Sequence, residues 1–169
     1  MPRIIVDTGP LLDLLLYRFW RERGRAINEN RLICWKQFNV SPEQISQFLG
    51  RYQGIIVVPG VFVEVGRLAR DELGHAAGQS RELPLAPFWR VVIRELRQMG
   101  VEERWVRFLS LDQTLVEELG PTDTALIHCS QETREERVPI LTHDQPLHGQ
   151  CRRQQISCIL TSEILDRLY

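Results

Sequence analysis

The chain has 169 residues, with 21 basic against 22 acidic side chains, 43% hydrophobic and 25% charged residues. These values are those of an average globular protein. They exclude a disordered chain, and the length fits one domain that needs no disulfide or structural metal to fold. A net charge of -1 excludes nucleic-acid binding by bulk positive charge, while leaving room for a local basic patch beside an acidic site.

Lys36 is the only lysine, and every other basic residue is arginine. Guanidinium groups suit phosphate, but the arginines are scattered rather than clustered, which favours codon bias. Cys34, Cys129, Cys151 and Cys158 form no C-x-x-C pair and sit among apolar residues as small hydrophobes. His75, His128, His143 and His148 show no metal-binding spacing. No leader pattern opens the chain, and no apolar run approaches the ~20 residues of a membrane span. The expectation is a reduced, cytoplasmic protein with no membrane contact.

In chain order, the sequence predicts a strand at 3–6, then a helix from Pro10 to about Arg23 with proline in its first turn. Residues 24–40 read as polar and irregular. Ser41-Pro42-Glu43-Gln44 has the pattern of a capping box, opening a helix that ends near Gly50. A β-branched run predicts a second buried strand at 55–58, followed by a helix over 61–73 and a loop over 74–83. A helix over 87–99 turns Val91, Val92 and Leu96 inward, a third strand is predicted at 105–109, and a short helix over 112–119 ends at Gly120. Thr122 is the expected N-cap of a helix from Pro121 to about Glu135. A fourth strand at 138–141, a helix over 145–153, a fifth strand at 156–159 and a helix over 162–168 complete the chain. Strands separated by helices predict an α/β fold, with a central, mostly parallel five-stranded sheet flanked by helices. The whole of 1–169 reads as a single domain with a helical insertion around 24–50.

Ligands of such sheets bind beyond the carboxyl ends of the strands. Four acids stand there: Asp7 after the first strand, Glu64 one turn into the helix after the second, Asp123 at the start of a helix, and Asp144 after the fourth strand. Each also has a local explanation. Asp7 can form an Asx turn, Asp123 can sit on a helix dipole, Asp144 can be an N-cap, and Glu64 can be solvated. Helical spacing, however, puts Glu64 at the rim of the Val61, Val65, Leu68 and Ala69 stripe, and Asp123 on the side of Leu126, Ile127 and Ser130. Acids converging in a cleft repel one another unless divalent cations neutralise them, and oxygen-only ligands suit Mg²⁺ or Mn²⁺.

The segments I-I-V-D-T-G-P-L-L at 4–12, V-V-P-G-V-F-V-E-V at 57–65, P-T-D-T-A-L-I at 121–127 and P-I-L-T-H-D-Q-P-L at 139–147 together resemble the PIN-domain nucleases. Their order and spacing run nearly the whole chain. The resemblance implies an α/β sandwich and a metal-dependent ribonuclease that hydrolyses RNA phosphodiester bonds. It makes Asp7, Glu64, Asp123 and Asp144 the catalytic, metal-binding acids for two Mg²⁺ or Mn²⁺ ions. Thr8 and Thr142 become supporting hydroxyls, although a turn hydroxyl bonding its own backbone explains either. Arg67, Arg70, Arg152 and Arg153 are the phosphate-contact candidates, with plain surface arginines as the alternative.

The family includes toxins paired with an antitoxin protein, and its toxins commonly form homodimers. The insertion around 24–50 and the lack of a dense basic patch depart from compact toxins. Two bound divalent cations would take the formal charge from -1 to about +3. Rival readings are a catalytically silent PIN-like module binding RNA or protein, and a phosphohydrolase of another α/β fold. The latter wants a D-x-D or a strand-end lysine, which Lys36 does not supply. The D-T-G at 7–9 also matches aspartic proteases, but those need a β-rich chain. His143 reads as a surface residue.

Overall fold

The computed structural model describes residues 2–24, 32–76, 85–133, 136 and 138–169, with the backbone alone at 74–76. Five strands form one sheet in the order β3-β2-β1-β4-β5: β1 Arg3–Val6, β2 Gly54–Val57, β3 Val101–Glu103, β4 Ile140–Thr142 and β5 Cys158–Leu160. Every recorded pairing is parallel, with Ile5 opposite both Ile56 and Ile140, Ile55 opposite Val101, and Leu141 opposite Ile159. Ile4, Ile5, Val6, Ile56, Val57, Ile140 and Leu141 are fully buried. That is why these strands read as continuous apolar runs rather than alternating ones. The expected α/β class and parallel sheet are therefore observed.

Helices connect the strands: α1 Thr8–Glu22, α2 Ile33–Phe38, α3 Pro42–Leu49, α4 Pro59–Ala76, α5 Leu85–Gln98, α6 Gln113–Leu119, α7 Pro121–Glu132, α8 Gln145–Arg153 and α9 Ile164–Leu168. α1 begins two residues before Pro10, because the Asp7 side chain accepts from Thr8 N and caps it. Leu11, Leu12, Leu14, Leu15, Leu16 and Phe19 are all buried, so α1 is apolar around most of its circumference and lies within the core. The capping box at Ser41 forms as predicted, with Gln44 N donating to Ser41 Oγ and Ser41 N to Gln44 Oε1.

Several expectations are corrected. The third strand is Val101–Glu103, not 105–109. As an edge strand with Glu102 and Glu103 exposed it carries no apolar signature, whereas Trp105, Phe108 and Leu109 are exposed side chains beyond it. The stretch 24–40 is not all irregular, since 33–38 is helical; residues 25–31 of the proposed insertion lie outside the described residues. The helix over 61–73 runs from Pro59 to Ala76, and the rest of the predicted loop, from 77, lies outside the described residues. α7 ends at Glu132, and position 135 is likewise outside. Thr122 is not its N-cap. Gly120, at φ 85, ends α6 and begins α7 with no side-chain cap, a backbone turn that glycine alone makes without strain. The last predicted helix divides into a 3₁₀ turn, Thr161–Glu163, and α9.

The strand order sets where the site falls. From central β1 the chain moves to β2 and β3 on one side, then returns to β4 and β5 on the other. The crevice beyond the carboxyl ends of β1 and β4 is the topological switch point. Asp7 directly follows β1, and Asp144 follows β4 by two residues. Among the described residues, no helix is long and apolar enough to cross a membrane.

Candidate functional site

At this switch point lies a cleft of about 320 Å³ lined by Asp7, Glu64, Asp123 and Asp144, the four acids expected from the sequence. Thr8, Gly9, Ile33, Gln37, Gly120 and His143 complete much of its wall, and none of the described lining residues is Lys or Arg. The acids form a gradient of exposure: Asp7 is buried, Glu64 and Asp123 are half-buried, and Asp144 is exposed. A larger cavity of about 590 Å³, lined by Ser130, Gln131, Val138 and 154–157, precedes β4 and β5 at the opposite edge of the sheet. Its described lining residues carry no charge, so chemistry rather than volume marks the site.

Thr142 ties the two ends of the crevice together. Its hydroxyl donates to Asp7 Oδ2 at 2.6 Å and accepts from Asp144 N at 2.8 Å. Asp7 Oδ1 accepts from Thr8 N, and Thr8 Oγ1 donates to Glu64 Oε2 at 2.8 Å, linking α1 to α4. Both threonines therefore bond across the fold to site carboxylates. Asp144 is also the N-cap of α8, its Oδ1 accepting from Leu147 N at 2.7 Å. Its local and cleft-facing roles coexist. Asp123 lies in the first turn of α7.

The electrostatics show how closely the acids bear on one another. Asp123 is pushed up to about 8, first by burial and then by the charges of Asp7, Asp144 and Glu64. Burial also raises Asp7 above the usual carboxylate range. The Thr142 and Thr8 hydrogen bonds oppose the rise, Glu64 adds to it, and His143 opposes it. Yet among the described residues no three His, Cys, Asp or Glu side chains are gathered closely enough to ligate one ion as they stand.

His143 is not a surface residue. Its side chain is 8% exposed, tilted against Phe38 with ring centroids 5.3 Å apart. Thr161 Oγ1 donates to the Thr142 carbonyl at 3.0 Å, so it accepts from His143 Nδ1–H at 2.7 Å. Nε2 faces Asp13 Oδ2 at 3.1 Å. Asp13, 2% exposed, also accepts from Ile33 N and Cys34 N at the start of α2. Gly9 permits this packing, because a Cβ there would stand 2.5 Å from His143 Cδ2. A continuous network thus runs from the start of α2 through Asp13, His143, Thr161 and Thr142 to Asp7. The sequence carried one signal for Asp13, a lone charge inside the apolar run 11–16.

The four arginine candidates are not brought to the cleft. Arg67 and Arg70 are exposed on α4 beyond Glu64, while Arg152 and Arg153 occupy the last turn of α8, the end away from Asp144.

Thr142→Val, which keeps the shape but removes the hydroxyl, is expected to lower stability by about 1–3 kcal/mol, leaving Asp7 Oδ2 and Asp144 N without their partner. Thr142→Ser keeps the hydroxyl and should lose less. Urea unfolding separates the two, and equal losses would show the methyl group, not the hydroxyl, to matter.

No family model matches the sequence, and no curated protein matches it. The fold itself is an α/β structure with a parallel five-stranded sheet flanked by helices, consistent in general with a Rossmannoid or PIN-like scaffold.

Proposed function

We propose that the protein is a metal-dependent endoribonuclease that hydrolyses RNA phosphodiester bonds at the acidic cleft. One observation carries the reading. Four carboxylates from four separate segments face a cleft that no described Lys or Arg lines, and their mutual repulsion helps push Asp123 up to about 8. An all-oxygen donor set with excess negative charge fits hard divalent cations, Mg²⁺ or Mn²⁺, and the chemistry on offer accommodates two. Asp7, Glu64, Asp123 and Asp144 would hold them. Such ions, when bound, offset the phosphate charge and make water a competent nucleophile toward phosphorus.

The chain's own groups position that chemistry. Thr142 and Thr8 N fix both Asp7 oxygens, and Thr8 Oγ1 holds Glu64 toward Asp7. Capping of α8 leaves Asp144 tied through one oxygen. The burial of Asp7 and half-burial of Asp123 set both in a lower dielectric than bulk water, which strengthens charge interactions there. A toxin role with an antitoxin protein as partner belongs to the same reading, and is tested by growth arrest on expression and its relief by a neighbouring small protein.

The spacing of the acids favours a second reading, a catalytically silent PIN-like module that binds RNA or protein, since no three ligands are gathered among the described residues. A cleavage assay decides between them. Wild type, Asp7→Asn and Asp123→Asn are incubated with single-stranded and structured RNA in Mg²⁺ or Mn²⁺. The nuclease reading expects wild-type cleavage that EDTA abolishes, and a loss of 100-fold or more, on the order of one lost catalytic interaction, in each variant. Absence of wild-type cleavage supports the silent module, and equal cleavage by the variants overturns the assignment of catalysis to these acids.

A further inference from the structure

Beside the acidic cleft, on the same edge of the sheet, lies a groove of about 440 Å³ whose walls include Val58, Pro59, Val63, Trp105, Phe108 and Leu111. It opens beyond the carboxyl ends of β2 and β3. The groove and the cleft share Glu64, Pro121 and Thr122, so they are continuous. Trp105 is 77% exposed, Phe108 65% and Val63 74%. Large apolar side chains clustered on a surface mark a contact site more often than chance.

This platform is built, not loose. Arg104 N donates to the Val57 carbonyl at 2.9 Å immediately before Trp105. Ser110 N and Ser110 Oγ both bond the Arg107 carbonyl, and Leu111 N bonds the Phe108 carbonyl, closing a 3₁₀ turn beneath Phe108. Asp112 then caps α6 through Leu115 N. The aromatic side chains are thus carried on backbone fixed at both ends, which lowers the ordering cost of binding.

Of the described groove-lining residues, only Glu64 carries a charge. The groove therefore suits a neutral, flat, apolar group and not a phosphate. A polynucleotide supplies that pairing, a neutral base beside each charged phosphate. Bases are available for stacking on side chains where the strand is single, since in a duplex they stack on each other.

We propose that Trp105 and Phe108 form a base-stacking platform that holds single-stranded nucleic acid next to the acids, and so select unpaired over duplex substrate. The inference rests on the nuclease reading for the direction of the strand across the cleft, but its test does not require cleavage. A second copy of this chain could also cover an apolar groove, and the experiment distinguishes it.

Fluorescence anisotropy is measured with a labelled short oligouridylate, an abasic ribose-phosphate chain of equal length and an RNA duplex, all in millimolar Ca²⁺. The proteins are wild type, Trp105→Ala and Trp105→Phe. Wild type is expected to bind the oligouridylate about 10-fold more tightly than the abasic chain, the scale of one base–aromatic stack. Trp105→Ala should lose that advantage and Trp105→Phe keep most of it, with the abasic chain binding all three alike. Because Trp105 is exposed, folding is expected to survive, and circular dichroism of Trp105→Ala verifies it.

Equal wild-type binding of base-bearing and abasic chains, or undiminished binding by Trp105→Ala, overturns the proposal. So does a dimer in wild-type sedimentation that Trp105→Ala dissociates without altering oligouridylate binding, which would assign the groove to self-association. Stacking without cleavage in Mg²⁺ or Mn²⁺ would sink the nuclease reading alone. Cleavage with no dependence on Trp105 would sink the stacking platform alone.

Discussion

Asp123→Asn is expected to stabilise the metal-free protein at pH 8 while abolishing hydrolysis. The Asp123 carboxyl rises from 3.8 to about 8 on folding, through burial and the charges of Asp7, Asp144 and Glu64. Between those values the folded chain holds a proton that the unfolded chain has released. Stability therefore falls as pH rises across that window, by up to about 1.4 kcal/mol per pH unit for one group, and levels off above about pH 8. Asp7, raised chiefly by burial, acts in the same direction.

Asparagine carries no charge and removes the Asp123 share of this penalty. Since Asp123 is half-buried, a gain on the order of 2 kcal/mol at pH 8 is expected, with little gain at pH 4. Urea unfolding in EDTA at the two pH values measures it. A variant no more stable than wild type at pH 8 would mean that neither burial nor the neighbouring acids penalise the Asp123 charge in the folded state. A residue that costs stability where it stands, yet is needed for activity, is what a charge-dense site predicts.

Asp13→Ala is expected to be the most destabilising single change near the site, by about 3–5 kcal/mol, because removing one partner of a buried polar pair strands the other. Three groups lose their acceptor or neighbour at once: Ile33 N, Cys34 N and His143 Nε2. The start of α2 is then uncapped, and Ile33 and Gln37 of that helix line the cleft. Asp13→Asn, retaining one carbonyl oxygen, should recover part of the loss. Chemical unfolding of the two variants reads the difference, and a cost below about 1 kcal/mol for alanine would show that water replaces the carboxylate at this site.

How much of this the sequence revealed depends on burial. β1, β2 and β4 announce themselves because parallel strands covered on both faces must be apolar. The edge strand β3 is short and ends in Glu102-Glu103, so the nearby apolar run at 105–109 attracted the prediction instead. Trp105 and Phe108 of that run are exposed, and they line the groove. Asp7, Glu64, Asp123 and Asp144 were legible because each follows a strand end or sits at the rim of an apolar helical stripe.

What brings them to one cleft was not legible. The Thr142 and Thr8 bonds span 135 and 56 residues, and His143 meets Asp13 across 130. Pairings that distant come from strand order and leave no mark in local spacing. The Thr122 cap failed for the opposite reason, since Gly120 turns the chain by backbone conformation and needs no side-chain oxygen.

The acidic cleft is expected to hold divalent cations. Thermal unfolding at pH 8 with and without millimolar Mn²⁺, in wild type and Asp123→Asn, tests it directly. A ligand at about 100 times its Kd stabilises the native state by about 2.7 kcal/mol. For a chain of this size that raises the wild-type midpoint by roughly 5–10 °C, with a much smaller rise in Asp123→Asn. An unchanged wild-type midpoint, or an equal rise in both proteins, would contradict it.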